Sequence, residues 1–172
     1  MNTPASAKSI LPPLAVTGAT GAIGGQVACI LADAGVALRL LVRNVAKAPD
    51  LPGSTAVSCS YGDRAAAGEA LSGVDLLFMV SAAESADRLD QHRTFIDAAA
   101  SAGVGHIVYT SFMGAAPDAV FTLARDHYFT EDYIKASGMG FTFLRDNFYI
   151  DFLAGLAGED GVIRPNNSKC RT

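Results

Sequence analysis

The stretch Val16-Thr17-Gly18-Ala19-Thr20-Gly21-Ala22-Ile23-Gly24 decides the fold. It follows a short apolar run and opens a long amphipathic one. Gly18, Gly21 and Gly24 stand three residues apart. That spacing lets the chain turn sharply off a strand, approach a ligand closely and pack the next helix tightly. The first amides of that helix have no intrahelical acceptor, and the helix dipole adds to their preference for an anion. The expected anion is a pyrophosphate, resting on the segment that includes Gly18, Ala19, Thr20, Gly21, Ala22 and Ile23. Strand before and helix after make this pattern far more specific than glycines alone.

Outward from that segment, apolar runs alternate with helical periodicity. Strands are expected over 14–17, 37–42, 55–59, 75–80, 106–110 and 140–144, and helices over 22–34, 64–71, 86–102 and 121–136. A weak helical piece is expected over 45–48, and a further helix over 148–156. Gly35, Gly103 and Gly138 fall where helices should close. Short strand–helix–strand steps mean parallel strands joined by right-handed crossovers. The expected architecture is an α/β, Rossmann-type doubly wound sheet in the order 3-2-1-4-5-6, with its ligand crevice above strands 1 and 4. Residues 1–13 read as a flexible arm, 14–157 as one nucleotide-binding domain and 158–172 as a poorly ordered tail.

Composition supports this frame. The chain has 172 residues, half of them hydrophobic and 17% charged, which suits a sheet buried on both faces. Net charge is −4, without a basic cluster, so a nucleic-acid partner is not expected. No apolar run nears the roughly 20 residues that a membrane helix requires. Cys29, Cys59 and Cys170 have no metal-binding spacing and read as free thiols of a reducing, cytoplasmic setting.

Candidate site residues cluster at the carboxyl ends of strands. Strand 2 ends in Leu41-Val42-Arg43, with no Asp or Glu to accept from adenosine ribose hydroxyls. The Arg43 guanidinium can instead grip a 2′-phosphate through charge-assisted bonds worth about 1.5–3 kcal/mol each. NADPH is therefore expected over NADH, although a merely solvated arginine has the same sequence. Asp63 can accept from an adenine amino group, cap the following helix, or both. Ser81 and Ala82 are small enough to let ribose and nicotinamide pass the chain closely. Ser111, ending strand 5, is expected to face the same crevice. His127 and Glu131 share a helix face, where the histidine can relay a proton or simply pair with the carboxylate. His92 falls on the inner side of its helix and reads as a packing residue. After strand 6, Asn147 and Tyr149 can hydrogen-bond a carbonyl or quinone oxygen while Phe148 stacks on a flat ring; the alternative is aromatic packing under a loop.

Taken together, these stretches resemble the atypical short-chain dehydrogenase/reductase group that includes NmrA-like proteins, and within it the type 2 NAD(P)H:quinone oxidoreductases. The resemblance rests on the glycine segment, Leu41-Val42-Arg43-Asn44, Gln91-His92-Arg93, Tyr109-Thr110-Ser111, the His127 to Glu131 turn and Phe143-Leu144-Arg145-Asp146-Asn147-Phe148-Tyr149. It implies an NADPH-binding domain that passes hydride to a quinone, with Gly18, Thr20, Gly21, Ile23, Arg43, Asp63 and Ser81 at cofactor positions. Asn147 and Tyr149 would lie beside nicotinamide and quinone. A homodimer is compatible with the resemblance.

Two departures bear on activity. The Tyr-x-x-x-Lys pair of ordinary short-chain dehydrogenases aligns on Leu123 and His127, so that alcohol–ketone route is not expected. Quinone reduction asks less of the protein, because water or His127 can complete protonation. Relatives also continue into a smaller lobe that this sequence largely lacks after Arg164. The expectation is a nucleotide platform with weak turnover, an uncovered apolar face and some self-association. An NADP(H)-binding sensor without chemistry, or an inactive fragment, is the alternative reading.

Overall fold

The computed structural model describes residues 13–149 and Gly161. Its elements run β1 (Leu14–Thr17), α1 (Ala22–Asp33), β2 (Leu38–Val42), β3 (Ser54–Ser58), α2 (Arg64–Leu71), β4 (Leu76–Met79), α3 (Arg88–Ser101), β5 (His106–Phe112), α4 (Thr122–Ala136) and β6 (Gly140–Asp146). A 3-10 turn, Val45–Lys47, lies between β2 and β3. All six strands are parallel, in the order β3-β2-β1-β4-β5-β6. This is the order expected from the alternation of runs.

Strand alternation divides the core in two. Val16, Leu38, Leu40 and Val42 pack with Ala28 and Ala32 of α1. Ala15, Leu41, Leu77, Ile107 and Tyr109 pack with Leu71 of α2, Phe95 and Ile96 of α3 and Ile134 of α4. Burying each large apolar side chain contributes roughly 1.5–3 kcal/mol, so the sheet is held from both faces. α1 and α3 each close on a glycine in the same way. Gly35 and Val36 donate to Ala32 and Leu31, while Gly103 and Val104 donate to Ala100 and Ala99.

Three details differ from the sequence reading. The second strand starts at Leu38 rather than at residue 37 and buries a charged residue, Arg39, which is 1% exposed. Its guanidinium donates to the carbonyls of Ala70 (2.7 Å) and Ser72 (2.8 Å), at the electronegative end of α2. Burial lowers its pKa. The β5–β6 ladder also runs farther than expected, with Ser111 opposite Arg145 and Phe112 opposite Asp146. Ser111 therefore lies inside β5 rather than at its end, and Arg145 and Asp146 lie within β6 rather than after it. Finally, α3 begins at Arg88, not at residue 86.

Phe148 and Tyr149 follow β6 without regular structure. The remainder of the helix expected over 148–156, the arm over 1–12 and nearly all of the tail lie outside the described residues. No helix among the described residues is long and apolar enough to cross a membrane.

Candidate functional site

β1 ends against a turn built on glycine. Gly18 has φ +65°, a left-handed conformation that side chains resist, and its carbonyl accepts from Gly21 N–H at 2.9 Å. α1 then starts with Gly21 as its cap residue, which makes no side-chain capping bond, and its first turn holds no acidic residue. The first intrahelical bond from this cap runs from Gly25 N–H to Gly21 carbonyl, at 2.9 Å. The amides of Ala22, Ile23 and Gly24 precede it, so this helix start is suited to an anion. Gly24 permits the approach: a Cβ there would lie 2.4 Å from the Gly18 carbonyl oxygen.

Above the turn is a crevice of about 590 Å³, lined by Gly18 and Thr20 and by the chain leaving β2, β3 and β4. Arg43, Ser81 and Ala82 line it. Arg43 is exposed and takes part in none of the ion pairs among the described residues. Ala19 is buried beneath the turn, and Gly21, Ala22 and Ile23 form the helix start; none of the four is among the residues that line the crevice. Asp63 caps α2, its Oδ1 accepting from Ala66 N–H at 3.0 Å, one residue beyond the crevice-lining Gly62. Cys59 also lines the crevice, where burial, aided by the Asp63 charge, pushes its thiol pKa up to about 11.

The other expected site residues fall outside this lining. Ser111 is 1% exposed, and its hydroxyl donates to Glu131 Oε1 at 2.5 Å, so the side chain belongs to a buried network instead of the crevice surface. Glu131 also accepts from Arg145, at 2.8 Å from Nε and 2.6 Å from a terminal nitrogen. Burial alone would raise the Glu131 pKa, but the bonds from Arg145 and Ser111 hold it below its usual value. Asn147 and Tyr149 are exposed on the β6 side; the Tyr149 hydroxyl donates to Asp146 at 2.5 Å.

His127 and Glu131 share a helix face but take different partners. His127 meets Arg88 through Nε2 (3.2 Å) and Tyr109 through Nδ1 (2.9 Å). Arg88 can only donate, so Nε2 accepts and Nδ1–H donates to the Tyr109 oxygen. Burial and the Arg88 charge lower the His127 pKa to about 4. The imidazole is therefore neutral near pH 7, with both ring nitrogens taken by protein partners. His92 is the packing residue its position predicts, 0% exposed, with burial and the Arg88 and His127 charges lowering its pKa to about 3.

Acid should therefore destabilise the fold early. The unfolded imidazoles titrate near 6.5. Between that value and their folded pKa values, the unfolded chain binds more protons than the folded one. The stability contributed by neutral His92 and His127 is complete above about pH 6.5 and declines as pH falls towards about 4. Each histidine removes up to about 1.4 kcal/mol per pH unit across that window. Glu131 works in the same direction, but its contribution disappears only below the ordinary carboxylate range. Melting temperature measured from about pH 7 to about pH 4 should fall throughout. A flat profile down to about pH 5 would contradict the buried neutral imidazoles.

The contacts of some polar residues around the crevice have no local sequence signal. Thr17 and Tyr61 line it, and Thr110 and Arg88 hold its wall from behind. They come from separate elements at no fixed spacing, so only the folded sheet brings them together.

An uncapped helix start beneath a crevice at the switch between β1 and β4 defines a Rossmann-type dinucleotide-binding domain. A family model described as NAD(P)H-binding matches residues 18–162, and the chain belongs to that family. Quinone oxidoreductase 2 of Escherichia coli is 41% identical over 140 residues, covering 79% of this chain and 49% of that protein. NAD(P)H azoreductase of Xenophilus azovorans is 34% identical over 147 residues, covering 80% and 49%. An Escherichia coli NADPH-dependent quinone oxidoreductase, solved in complex with NADPH, superposes with a TM-score of 0.75 at 39% identity, covering 83% of this chain and 52% of that one. The chain thus spans about half the length of these relatives.

Proposed function

We propose that this chain is the cofactor-binding part of an NADPH-dependent reductase acting on a quinone or a similar flat, electron-poor acceptor. The observation that carries the reading is the pairing of Arg43 on one crevice with Gly18 and Thr20, the turn that leads into the uncapped start of α1, with no carboxylate at the end of β2. The crevice residues fit a phosphorylated dinucleotide. The amides of Ala22 to Gly24 and the Gly18–Thr20 turn would hold the pyrophosphate, and Arg43 the 2′-phosphate. NADH remains the weaker alternative.

The chemistry such a cofactor supplies is hydride transfer from reduced nicotinamide to the acceptor. The chain's contribution is binding and orientation. Relatives whose names include quinone and azo reduction support an acceptor with a conjugated, electron-poor system. Asn147, exposed beyond the carboxyl end of β6, is the proposed donor to its oxygen, joined by Tyr149 once its hydroxyl leaves Asp146. Protons come from water, because both ring nitrogens of His127 are engaged by Arg88 and Tyr109.

Mixing the chain with NADPH and a benzoquinone, and following loss of the reduced nicotinamide absorbance, tests the activity. Turnover that falls in Asn147→Ala and Tyr149→Phe supports the reading. Tight NADPH binding without turnover would instead establish a binding-only module.

A further inference from the structure

The turn leaving β4 contains neither glycine nor proline, yet its main chain is fixed almost atom by atom. Val80 sits in a closed ring of hydrogen bonds. Its N–H donates to Thr17 Oγ1 at 2.8 Å, the Thr17 hydroxyl donates to Tyr61 Oη at 2.6 Å, and the Tyr61 hydroxyl donates to the Val80 carbonyl at 2.5 Å. The directions follow because an amide can only donate and a carbonyl only accept. Ser81 N–H donates to Thr110 Oγ1 at 2.8 Å. Ala82 N–H donates to His92 Nε2 at 2.9 Å, and the Ala82 carbonyl accepts from Arg88 Nε at 2.8 Å. His92 is fixed as an acceptor there because Nδ1 donates to Thr130, whose own proton goes to the Asp126 carbonyl.

Five main-chain groups in three consecutive residues are thus held by side chains from β1, the segment after β3, β5 and α3. A connection that only joined β4 to α3 would be satisfied by water. This one also forms crevice wall, and Val80 packs against the phosphate turn: a Cβ on Gly18 would lie 3.2 Å from Val80 Cβ. In a doubly wound sheet the dinucleotide spans the switch point, with one mononucleotide over each half. Arg43 places the adenosine half over β1–β3, which leaves the β4 turn for the nicotinamide half.

We infer that Tyr61 and His92 are positioning residues, which hold residues 80–82 as a rigid rest for the nicotinamide half, formed before the cofactor arrives. The inference rests on the cofactor reading above. A rest built in advance removes the ordering cost from binding and fixes the reacting ring.

Two calorimetric probes test it on the full chain: NADPH, and adenosine 2′,5′-bisphosphate, which lacks the nicotinamide half. Tyr61→Phe and His92→Leu should each weaken NADPH by about tenfold or more while leaving the bisphosphate within about twofold, because each strands a main-chain group of the turn. His92→Gln retains an acceptor and should restore most of the affinity. Equal losses for both probes would mean a merely structural role and overturn the inference, as would unchanged NADPH affinity. Hydrogen exchange on the unliganded wild-type chain needs no variant. Slow exchange at Ser81 and Ala82 supports a preformed rest; open-loop exchange that slows only with NADPH overturns it. Wild-type chain that binds neither probe would overturn the cofactor reading and this role together.

Discussion

Arg43→Ala is expected to weaken NADPH binding by about ten- to a hundredfold, while NADH affinity stays within about twofold. The asymmetry follows from where the guanidinium stands. Arg43 is the residue directly after β2, exposed and on the crevice wall. The next residue, Asn44, caps the 3-10 turn by accepting from Ala46 N–H at 3.0 Å, which fixes the direction in which the chain leaves the strand. No intramolecular ion pair competes for Arg43 among the described residues. Its charge is therefore available to a 2′-phosphate, and NADH has no group in that place to lose. Arg43→Glu should go further and reverse the preference, since a carboxylate repels the phosphate and accepts from ribose hydroxyls. Rising salt should reduce the wild-type preference by screening an exposed contact. Dissociation constants for both cofactors, measured for wild type and the two variants, check this. Equal losses for NADPH and NADH would remove the case for Arg43 as the selector.

Gly24→Ala should be the most damaging glycine-to-alanine substitution among the described residues. The added Cβ would lie 2.4 Å from the Gly18 carbonyl oxygen and 2.5 Å from the Thr17 carbonyl oxygen, both main-chain atoms. Neither can swing aside as a flexible side chain would. α1 must lift from β1 or the Gly18 turn must open, and either disturbs the junction of the helix start with the crevice-lining Gly18 and Thr20. A loss of about 1–3 kcal/mol is expected from the overpacking. That corresponds to roughly 2–4 °C in melting temperature per kcal/mol, together with a loss of dinucleotide affinity. Gly68→Ala is the control. A Cβ at Gly68, inside α2, meets nothing within 4 Å, so this substitution should gain about 0.5–1 kcal/mol. Thermal melts of the two variants should move in opposite directions. A Gly24→Ala chain as stable as wild type would contradict the close approach.

Much of the fold was legible because its signals are local. Apolar runs, glycine stops and the Val16–Gly24 segment each lie within a few residues, and they specify strand, helix and turn without reference to the rest of the chain. Strand ends were less legible. The β5–β6 ladder continues to Phe112 and Asp146 because the neighbouring strand offers partners there, which no local pattern records. Arg39 escaped for a similar reason: its position in a buried strand is sustained by carbonyls at the end of α2, about thirty residues away.

The crevice divides in the same way. Gly18, Thr20, Arg43, Ser81 and Ala82 were readable because they follow strands at one edge of the sheet. His127 and Glu131 were readable as neighbours on a helix, but their partners were not. Arg88 from α3 claims the histidine, and Arg145 from β6 claims the carboxylate. The Thr17–Tyr61–Val80 ring has no linear pattern at all, since it assembles from three separate stretches.

The central claim is that the phosphates of an NADPH-class dinucleotide rest on the amides at the start of α1, with Arg43 beside them. Its most direct test is an amide-resolved NMR titration of the chain with NADPH. The largest shifts should fall on Gly18 to Gly24, with the Arg43 side-chain resonance moving for NADPH and not for NADH. Saturable binding that leaves those amides unmoved, or no binding at millimolar cofactor by a folded chain, would contradict it.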